Sequence, residues 1–422
     1  MVELKKGDSV GLTNGSQATI VQELGRGGQG IVYLVEVGGQ KMALKWYINN
    51  PGDWFYKNLE ENISKGAPSD AFLWPEYLTI KQKGTYGYVM KLRPQGYQEF
   101  GQYLLARVQF KTLDAIVNAA MKICEGFKAL HLQGLSYQDL NDGNFFIHPE
   151  TGDVLICDND NVAPEGENSG ILGKARYMAP EVVTGSKMPS KQTDRYSLSV
   201  VLFLLFYGNH PLEGARVLAC PCMTEKYEKQ FYGSEATFIY DESIKTNLPV
   251  RGVHNNVLRK WPVFPAILRE TFKKEFSQDC LLKKPEARKL EREWQKVIQK
   301  VRDMLVVCPE CKEETFIEDP EAPKCICCGK SISMPGILKI NDRQVLLTAG
   351  TKVYIDMDNK PDIQVVNVPG DKYPVQLKNI TSTNWTVETQ SGKLKAIEPN
   401  QCMPVRAGLK VNLTGIIKGE II

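Results

Sequence analysis

The sequence predicts an α+β chain in three parts: a two-lobed body of mixed strand and helix, a short cysteine-rich module, and a small all-β sandwich. Apolar and polar residues alternate from 10 to 48 between Gly-rich turns, which is typical of strands. From 112 to 133 the apolar residues recur at helical spacing instead. Five of the eleven cysteines fall between 308 and 328, and short strand signals with Gly, Asn and Pro turns follow from 337 onward.

The body begins with a β-rich lobe and continues as a larger helical one, with the change near Pro94. The patterns predict a helix over 53–65 and strands over 73–80 and 86–92. Further helices are expected over 112–133, 194–207, 265–277 and 288–305, with short strands around two turn-rich loops between 135 and 160.

Composition excludes several classes of function. The 422 residues carry 52 Lys and Arg against 49 Asp and Glu, so the net charge of +3 gives no reason to expect nucleic acid or an anionic membrane as a partner. Met1–Gly7 has no apolar stretch behind its lysines, so we expect no signal peptide. The apolar run Leu198–Tyr207 is too short for a membrane span and predicts a core helix. Unpaired Cys124, Cys157 and Cys280 suit a reducing cytoplasm.

A glycine-rich stretch, LGRGGQGIV at 24–32, fits G-x-G-x-x-G-x-V with Gly25, Gly27, Gly28 and Gly30. Glycines let backbone N–H groups approach phosphates, although a plain hairpin turn explains the stretch alone equally well. The glycines lie between two strands, whereas a dinucleotide-binding turn joins a strand to a helix. Lys45 ends the apolar strand MALK about fifteen residues later. Together the two features resemble the nucleotide site of a protein kinase.

Four later segments extend this resemblance. LHLQGLSYQDLNDGN at 130–144 is similar to the kinase stretch L-H-x-x-G-x-x-H-R-D-L-K-x-x-N, with Asp139 and Asn144 at the spacing of the catalytic base and the metal-binding asparagine. VLICDND at 154–160 matches the strand and aspartate of D-F-G at Asp158. GKARYMAPE at 173–181 resembles the end of an activation segment, and DRYSL at 194–198 resembles the start of the large helix beneath the catalytic loop. Arg288 lies where the family places the ion-pair partner of Glu181.

Residues 10 to 305 therefore resemble a bacterial-type (Hanks-type) Ser/Thr protein kinase. The resemblance implies ATP and Mg²⁺ as cofactors, a protein substrate, and Asn144 and Asp158 as magnesium ligands. A glutamate of the 53–65 helix is expected to pair with Lys45, either Glu60 or Glu61, and Glu60 fits the family pattern better. By the same resemblance the nucleotide is lined by Val32, Ala43, Met90, Lys91 and Leu92.

The sequence also departs from the family pattern. Gln138 replaces the arginine that usually pairs with an activation-loop phosphate, and Ser169 is the one hydroxyl residue between Asp158 and Gly173, so activity is expected without phosphorylation there. Asn141 replaces the lysine over the transferred phosphate, while Lys174 replaces the threonine that contacts it. Lys174 is therefore expected to supply the missing charge as a catalytic residue, unless it is an ordinary exposed lysine. The alternative to an enzyme is a pseudokinase scaffold that binds nucleotide or partners without catalysis.

The cysteine cluster has the spacing C-x2-C-x13-C-x2-C, formed by Cys308, Cys311, Cys325 and Cys328. Two such pairs complete a tetrahedron, so the cluster resembles a zinc ribbon with a structural Zn²⁺. Cys327 is an alternative to Cys325 or Cys328.

The C-terminal segments 376–387, 397–399 and 405–411 resemble the last half of a forkhead-associated β-sandwich. The family's phosphothreonine-binding residues are not found between 337 and 375, so a protein-docking unit is expected. The expected domains are a kinase-like domain at 1–305 (lobes about 1–93 and 94–305), a zinc ribbon at 306–334 and a β-sandwich at 335–422. A cognate metal-dependent phosphatase is a further expected partner.

Overall fold

The small lobe is an antiparallel sheet with one helix against it. The computed structural model describes residues 3–82, 84–168, 173–357, 360–389, 392–413 and 417–422. The sheet has the order β1-β2-β3-β4-β6-β5. Its strands and helix are β1 (Ser9–Gly11), β2 (Gln17–Arg26), β3 (Gly30–Val37), β4 (Gln40–Tyr47), α1 (Asp53–Lys65), β5 (Pro75–Leu78) and β6 (Gly87–Lys91). Because side chains alternate along the strands, the sheet has an apolar layer on each face. Val35, Leu44 and Trp46 belong to one layer. Ala43, Tyr47 and Tyr88 belong to the other layer, which faces α1.

The large lobe is helical and is built around α5. The helices are α2 (Phe100–Leu104), α3 (Leu113–Leu132), α4 (Pro180–Val183), α5 (Lys191–Tyr207), α6 (Ala215–Leu218), α7 (Glu225–Glu228), α8 (Asn255–Lys260), α9 (Ala266–Glu275) and α10 (Glu291–Asp303). The short strands between α2 and α4, with the strand that precedes α2, are β7 (Gln98–Glu99), β8 (Leu135–Ser136), β9 (Phe145–Ile147), β10 (Val154–Ile156) and β11 (Ala163–Pro164). These bounds confirm the five helices predicted from the sequence.

Helix α5 begins at Ser190, whose side chain accepts a hydrogen bond from the Thr193 N–H, and it ends at Gly208 with φ +71°. Its residues from Tyr196 to Tyr207 are all buried, so it is surrounded by protein on every side. This confirms the prediction that the run Leu198–Tyr207 is a core helix. Across the described ranges of the chain, the structure contains no helix that is both long and apolar enough to cross a membrane.

Beyond α10 the described chain is all β. A hairpin of β12 (Leu305–Val307) and β13 (Glu314–Phe316) carries Cys308 and Cys311 in its turn, and Cys325 and Cys328 follow it along the chain. Two antiparallel sheets follow, in the orders β15-β14-β23-β22-β19-β20 and β16-β17-β18-β21. Their strands are β14 (Gly336–Ile340), β15 (Arg343–Leu347), β16 (Lys352–Val353), β17 (Ile363–Asn367), β18 (Val375–Asn379), β19 (Trp385–Glu388), β20 (Leu394–Ile397), β21 (Cys402–Pro404), β22 (Lys410–Asn412) and β23 (Lys418–Ile421). Leu338, Val365, Leu377 and Trp385 lie in the apolar core of this β unit.

The β unit docks on the large lobe through charged side chains. Arg343 places Nε 2.8 Å and Nη2 2.7 Å from the two carboxylate oxygens of Asp303, at the end of α10. Lys352 Nζ lies 2.9 Å from Asp114 Oδ2, at the start of α3, and Tyr354 donates to the same carboxylate at 3.1 Å. Because both arginine donors meet one carboxylate, this contact sets the orientation of the β unit as well as its position.

Candidate functional site

The glycine-rich turn joins β2 to β3 at the edge of the cleft between the lobes. The Gly27 N–H donates to the Gly30 carbonyl at 2.9 Å, which closes the turn. A Cβ at Gly30 would lie 2.6 Å from the Trp46 carbonyl oxygen, so packing of the sheet requires glycine there. A Cβ at Gly25 or Gly28 would meet nothing within 4 Å. Packing therefore does not explain these two glycines, and they leave the backbone open to an incoming ligand.

Lys45 lies on β4 beneath this turn and is buried against two carboxylates. Its Nζ is 2.7 Å from Asp160 Oδ2 and 3.5 Å from Asp158 Oδ1. The Tyr47 hydroxyl donates to the same Asp160 oxygen at 2.6 Å. Burial alone would lower the pKa of Lys45, but the charges of Asp160 and Asp158 raise it above its usual value. Lys45 therefore keeps its positive charge in the cleft.

The prediction that Lys45 pairs with Glu60 or Glu61 is wrong. Both glutamates lie on the exposed side of α1, and Glu61 is 3.9 Å from Lys57 instead. The buried side of the helix carries Asn58 and Asn62, and both side-chain amides donate to the Val162 carbonyl at 2.8 Å. Since residues 58 and 62 are one turn apart, they share a face that 60 and 61 do not.

The loop that carries Asp139 is held from below by α5. The Asp194 carboxylate accepts the backbone N–H of Tyr137 at 2.6 Å and of Gln138 at 3.1 Å. The Tyr137 hydroxyl donates to the Cys157 carbonyl, which ties the loop to the end of β10. Gln138 has φ +71°, a strained value for a side-chain-bearing residue, so these bonds hold the turn that presents Asp139.

Asp139 lies beside an amide and a lysine. The Asn141 side-chain amide donates to Asp139 Oδ1 at 3.3 Å, and Lys174 Nζ donates to Asn141 Oδ1 at 2.9 Å. Burial raises the pKa of Asp139 to about 6, against the lowering effects of the Asn141 hydrogen bond and the Lys174 charge. Asn144 closes the loop, because its Oδ1 accepts the Asn141 N–H at 2.8 Å.

The turn after β10 carries Asp158, which has a left-handed backbone at φ +55°. The next residue, Asn159, donates to the carbonyls of Leu73 at 2.9 Å and Ile156 at 3.0 Å. An amide thus fixes this turn by hydrogen bonds where the kinase pattern has a phenylalanine.

Gln138 donates to the Glu167 carbonyl at 2.6 Å, so the residue in the arginine position contacts the backbone of the following segment. Ser169 lies outside the described residues.

The cleft behind Lys45 is apolar. Ala43 and Met90 are buried in one cluster, with Val32 and Leu92 packed against it, whereas Lys91 is exposed. Sequence reasoning did not place Tyr88, Leu155 or Cys157 at the site, and all three belong to this cluster. The position of Leu155 and Cys157 directly before Asp158 was the available signal, since strand alternation turns both toward one face.

Glu181 and Arg288 form the ion pair that the sequence predicts. Arg288 places Nη1 2.6 Å and Nη2 2.8 Å from the two carboxylate oxygens. The pair joins α4 to the turn before α10, so the segment that carries Lys174 is anchored at its C-terminal end.

The four predicted cysteines converge on one point. Their Sγ atoms all lie within 4.8 Å of one another, with Cys308 to Cys328 at 3.9 Å and Cys311 to Cys325 at 3.7 Å. Zn–S bonds of about 2.3 Å in a tetrahedron require sulfurs about 3.8 Å apart, so the four thiols fit such an ion. Cys327 is exposed and lies outside this group. The cysteine set is therefore a possible metal site.

Comparison with known proteins agrees with this geometry. The profile of the protein kinase domain matches residues 18–300, more than half of the chain. Protein kinase C delta type of Mus musculus is 28% identical over 206 residues, which is 46% of this chain and 30% of that protein. Serine/threonine-protein kinase Pkn1 of Myxococcus xanthus is 27% identical over 208 residues, 46% of this chain and 29% of that protein. The probable serine/threonine-protein kinase PknB of Corynebacterium glutamicum is 30% identical over 104 residues, 23% and 16% of the two chains. The chain thus spans less than a third of each of these relatives, and the match of the domain profile shows that it belongs to the protein kinase family.

Proposed function

We propose that the protein is an ATP- and Mg²⁺-dependent protein kinase that transfers the γ-phosphoryl group to Ser or Thr of a protein substrate. One observation carries the proposal: Lys45 Nζ of the small lobe lies 3.5 Å from Asp158 Oδ1 of the large lobe. A cation for phosphates and a carboxylate for a metal thus meet at one cleft, beneath an open glycine turn.

The residues present fit the two cofactors. The Asp158 side chain is 47% exposed although its neighbours are buried, so a carboxylate oxygen is available in the cleft. Asn144 Oδ1 accepts one hydrogen bond and retains a second lone pair. Carboxylate and amide oxygens are ligands that Mg²⁺ accepts, and Val32, Ala43, Met90 and Leu92 offer an apolar wall to an adenine ring.

Each group then has one role. MgATP supplies the phosphoryl group and the metal charge that neutralises its oxygens. Lys45 binds phosphate oxygens, and Asn144 and Asp158 hold the metal. Asp139 accepts the hydrogen bond of the acceptor hydroxyl and takes its proton, for which a pKa of about 6 is well placed near neutral pH.

Lys174 supplies the positive charge that the kinase pattern places at position 141. Its support is the 2.9 Å hydrogen bond from Lys174 Nζ to Asn141 Oδ1, which brings the ammonium group next to the loop that carries Asp139. In this chain the positive charge therefore comes from residue 174, whereas the kinase pattern has it at residue 141, on the other side of the contact between these two positions. A further part of the proposal is that activity needs no phosphate between 158 and 173, because Gln138 offers an amide and not a cation there.

The C-terminal modules bind a structural zinc ion and a partner protein. The tetrahedral spacing of the four thiols supports zinc, and the two antiparallel sheets support a forkhead-associated-like sandwich. The domain boundaries at 305 and 334, a cytoplasmic location and a cognate phosphatase complete the proposal, and they rest on sequence patterns.

The test is incubation of the full chain with radiolabelled ATP and Mg²⁺, with a general protein substrate present. Wild type should incorporate label into protein, Asp139→Asn should lose it, and Asp70→Asn, an exposed carboxylate on the small lobe, should retain it. Equal labelling by wild type and Asp139→Asn would overturn the assignment of Asp139. Nucleotide binding by wild type without label transfer would favour the scaffold.

A further inference from the structure

Asp160 is a carboxylate with no access to solvent. Its side chain is 0% exposed, and Oδ2 accepts from Lys45 Nζ and from the Tyr47 hydroxyl. A buried carboxylate without compensation costs several kcal/mol, so one that persists at a site is paired. Among the described residues, the cation within 4 Å of Asp160 is Lys45. The charge of Lys45 therefore compensates the buried charge of Asp160, and the charge of Asp160 compensates that of Lys45.

Helix α1 contributes no charge to this pair. Asn58 and Asn62 turn toward the site and donate to the Val162 carbonyl, two residues beyond Asp160. The helix is thus fastened to the same turn by neutral hydrogen bonds. Its glutamates Glu60 and Glu61 face away.

We propose that Asp160 is the counter-ion that positions Lys45, so the direction of the phosphate-binding lysine is set by the turn after β10 and not by helix α1. This rests on the proposed function of Lys45. The turn Asp158–Asn161 then has two roles. It carries Asp158, the proposed metal ligand, and through Asp160 it orients Lys45 toward the phosphates of ATP. Movement of Glu60 or Glu61 on α1 would then neither form nor break the ion pair of Lys45 with Asp160.

The distances rank the candidate partners. Asp160 is at 2.7 Å and fully buried, whereas Asp158 is at 3.5 Å with its side chain 47% exposed. A short contact in a low-dielectric environment is the stronger one. Asp158 is also the group assigned to the metal, so it is the less constant neighbour of Lys45.

The first experiment measures nucleotide binding by titration of a fluorescent ATP analogue with Mg²⁺. Asp160→Asn should bind about tenfold more weakly, the effect of losing one charge-assisted hydrogen bond that aims the lysine. Asp160→Glu should recover part of the affinity. Glu60→Gln and Glu61→Gln, together with the exposed strand variant Glu36→Gln, should match wild type.

The second experiment reads Lys45 itself. The chain is exposed briefly to an amine-acylating reagent at high pH, and labelling at Lys45 is compared with the exposed Lys41 by peptide mass spectrometry. Asp160→Asn should increase relative labelling of Lys45 at least about threefold, because a lysine without its counter-ion loses its proton more easily. Asp158→Asn should change labelling less, and Glu60→Gln not at all.

The outcomes separate the two claims. If wild type binds no nucleotide, the proposed function fails, while the labelling still decides whether Asp160 holds Lys45. If Asp160→Asn binds nucleotide and labels like wild type, or if Glu60→Gln gives the changes expected of Asp160→Asn, the inference is overturned. If thermal melting shows that Asp160→Asn does not fold, Asp158→Asn and Glu60→Gln decide the question. Low labelling of Lys45 in both variants supports Asp160 as the counter-ion. A large increase in labelling of Lys45 in either variant overturns the proposal.

Discussion

Replacement of Lys174 by methionine should shift the pH dependence of phosphoryl transfer. Methionine keeps an unbranched side chain of nearly the same length and removes its charge. The ammonium group lies 2.9 Å from Asn141 Oδ1, and the amide of that residue lies 3.3 Å from Asp139 Oδ1. Lys174 therefore acts on the proposed base through one bridging amide.

The geometry sets the size of the shift. A bridge of this kind separates the lysine and aspartate charges by about 6 Å, and Lys174 is exposed, so an effective dielectric constant of about 40 is appropriate. The interaction is then about 1.4 kcal/mol, or about one pKa unit. Burial already raises the pKa of Asp139 to about 6, and loss of the lysine charge acts in the same direction. In Lys174→Met the pKa of Asp139 should therefore rise to about 7.

The assay is the initial rate of label transfer between about pH 5.5 and 9, with Lys187→Met as the control for loss of an exposed lysine from the same region. Asp139 must be ionised to accept a proton, so wild-type activity should rise with pH through about 6. In Lys174→Met the rise should lie about one unit higher, which gives about a threefold extra loss near pH 6.5 and little extra loss near pH 8.5. Profiles of the same shape for the two proteins would refute the electrostatic role, whatever the change in maximal rate.

Three further predictions concern stability and the metal. Arg343→Met leaves Asp303 buried without its arginine and should lower the free energy of unfolding of the β unit by about 3 kcal/mol in urea titrations; an unchanged midpoint would show that the docked contact is absent in solution. Arg288→Met leaves Glu181, whose side chain is only 10% exposed, without its ion pair and should cost about 3 kcal/mol by thermal melting, whereas a loss under about 1 kcal/mol would contradict a buried pair. The purified chain should contain one zinc ion by elemental analysis, and Cys311→Ser should lose it and melt at lower temperature; a metal-free wild type of equal stability would contradict a structural ion.

Elements governed by local pattern were predictable. The helix over 53–65 was recognised from spacing and turn signals, and α3 from apolar periodicity that begins after the capping Thr112. The pairing of Glu181 with Arg288 followed from motif order, because an ion pair between two anchored segments depends little on surrounding side chains.

The partner of Lys45 was not predictable in the same way. The buried face of α1 combines Phe55 and Leu59 with two asparagines, so apolar spacing did not identify which side turns inward. Asp160 was visible two residues beyond Asp158, but an aspartate after a strand is more often a turn residue than a counter-ion. Only the approach of the two lobes shows that its oxygen meets Lys45.

The position of β23 has a consequence for how the chain folds. This strand lies between β14 and β22, so the six-stranded sheet cannot close until residues 418–421 have been synthesised. Until then β14 and β22 each present an edge of unpaired backbone groups, which favours association with other chains. Pairing across nearly the whole β unit is also slow compared with helix formation. The kinase body can thus complete its fold on the ribosome before the β unit folds. The contact of Arg343 with Asp303 is then one of the last to form.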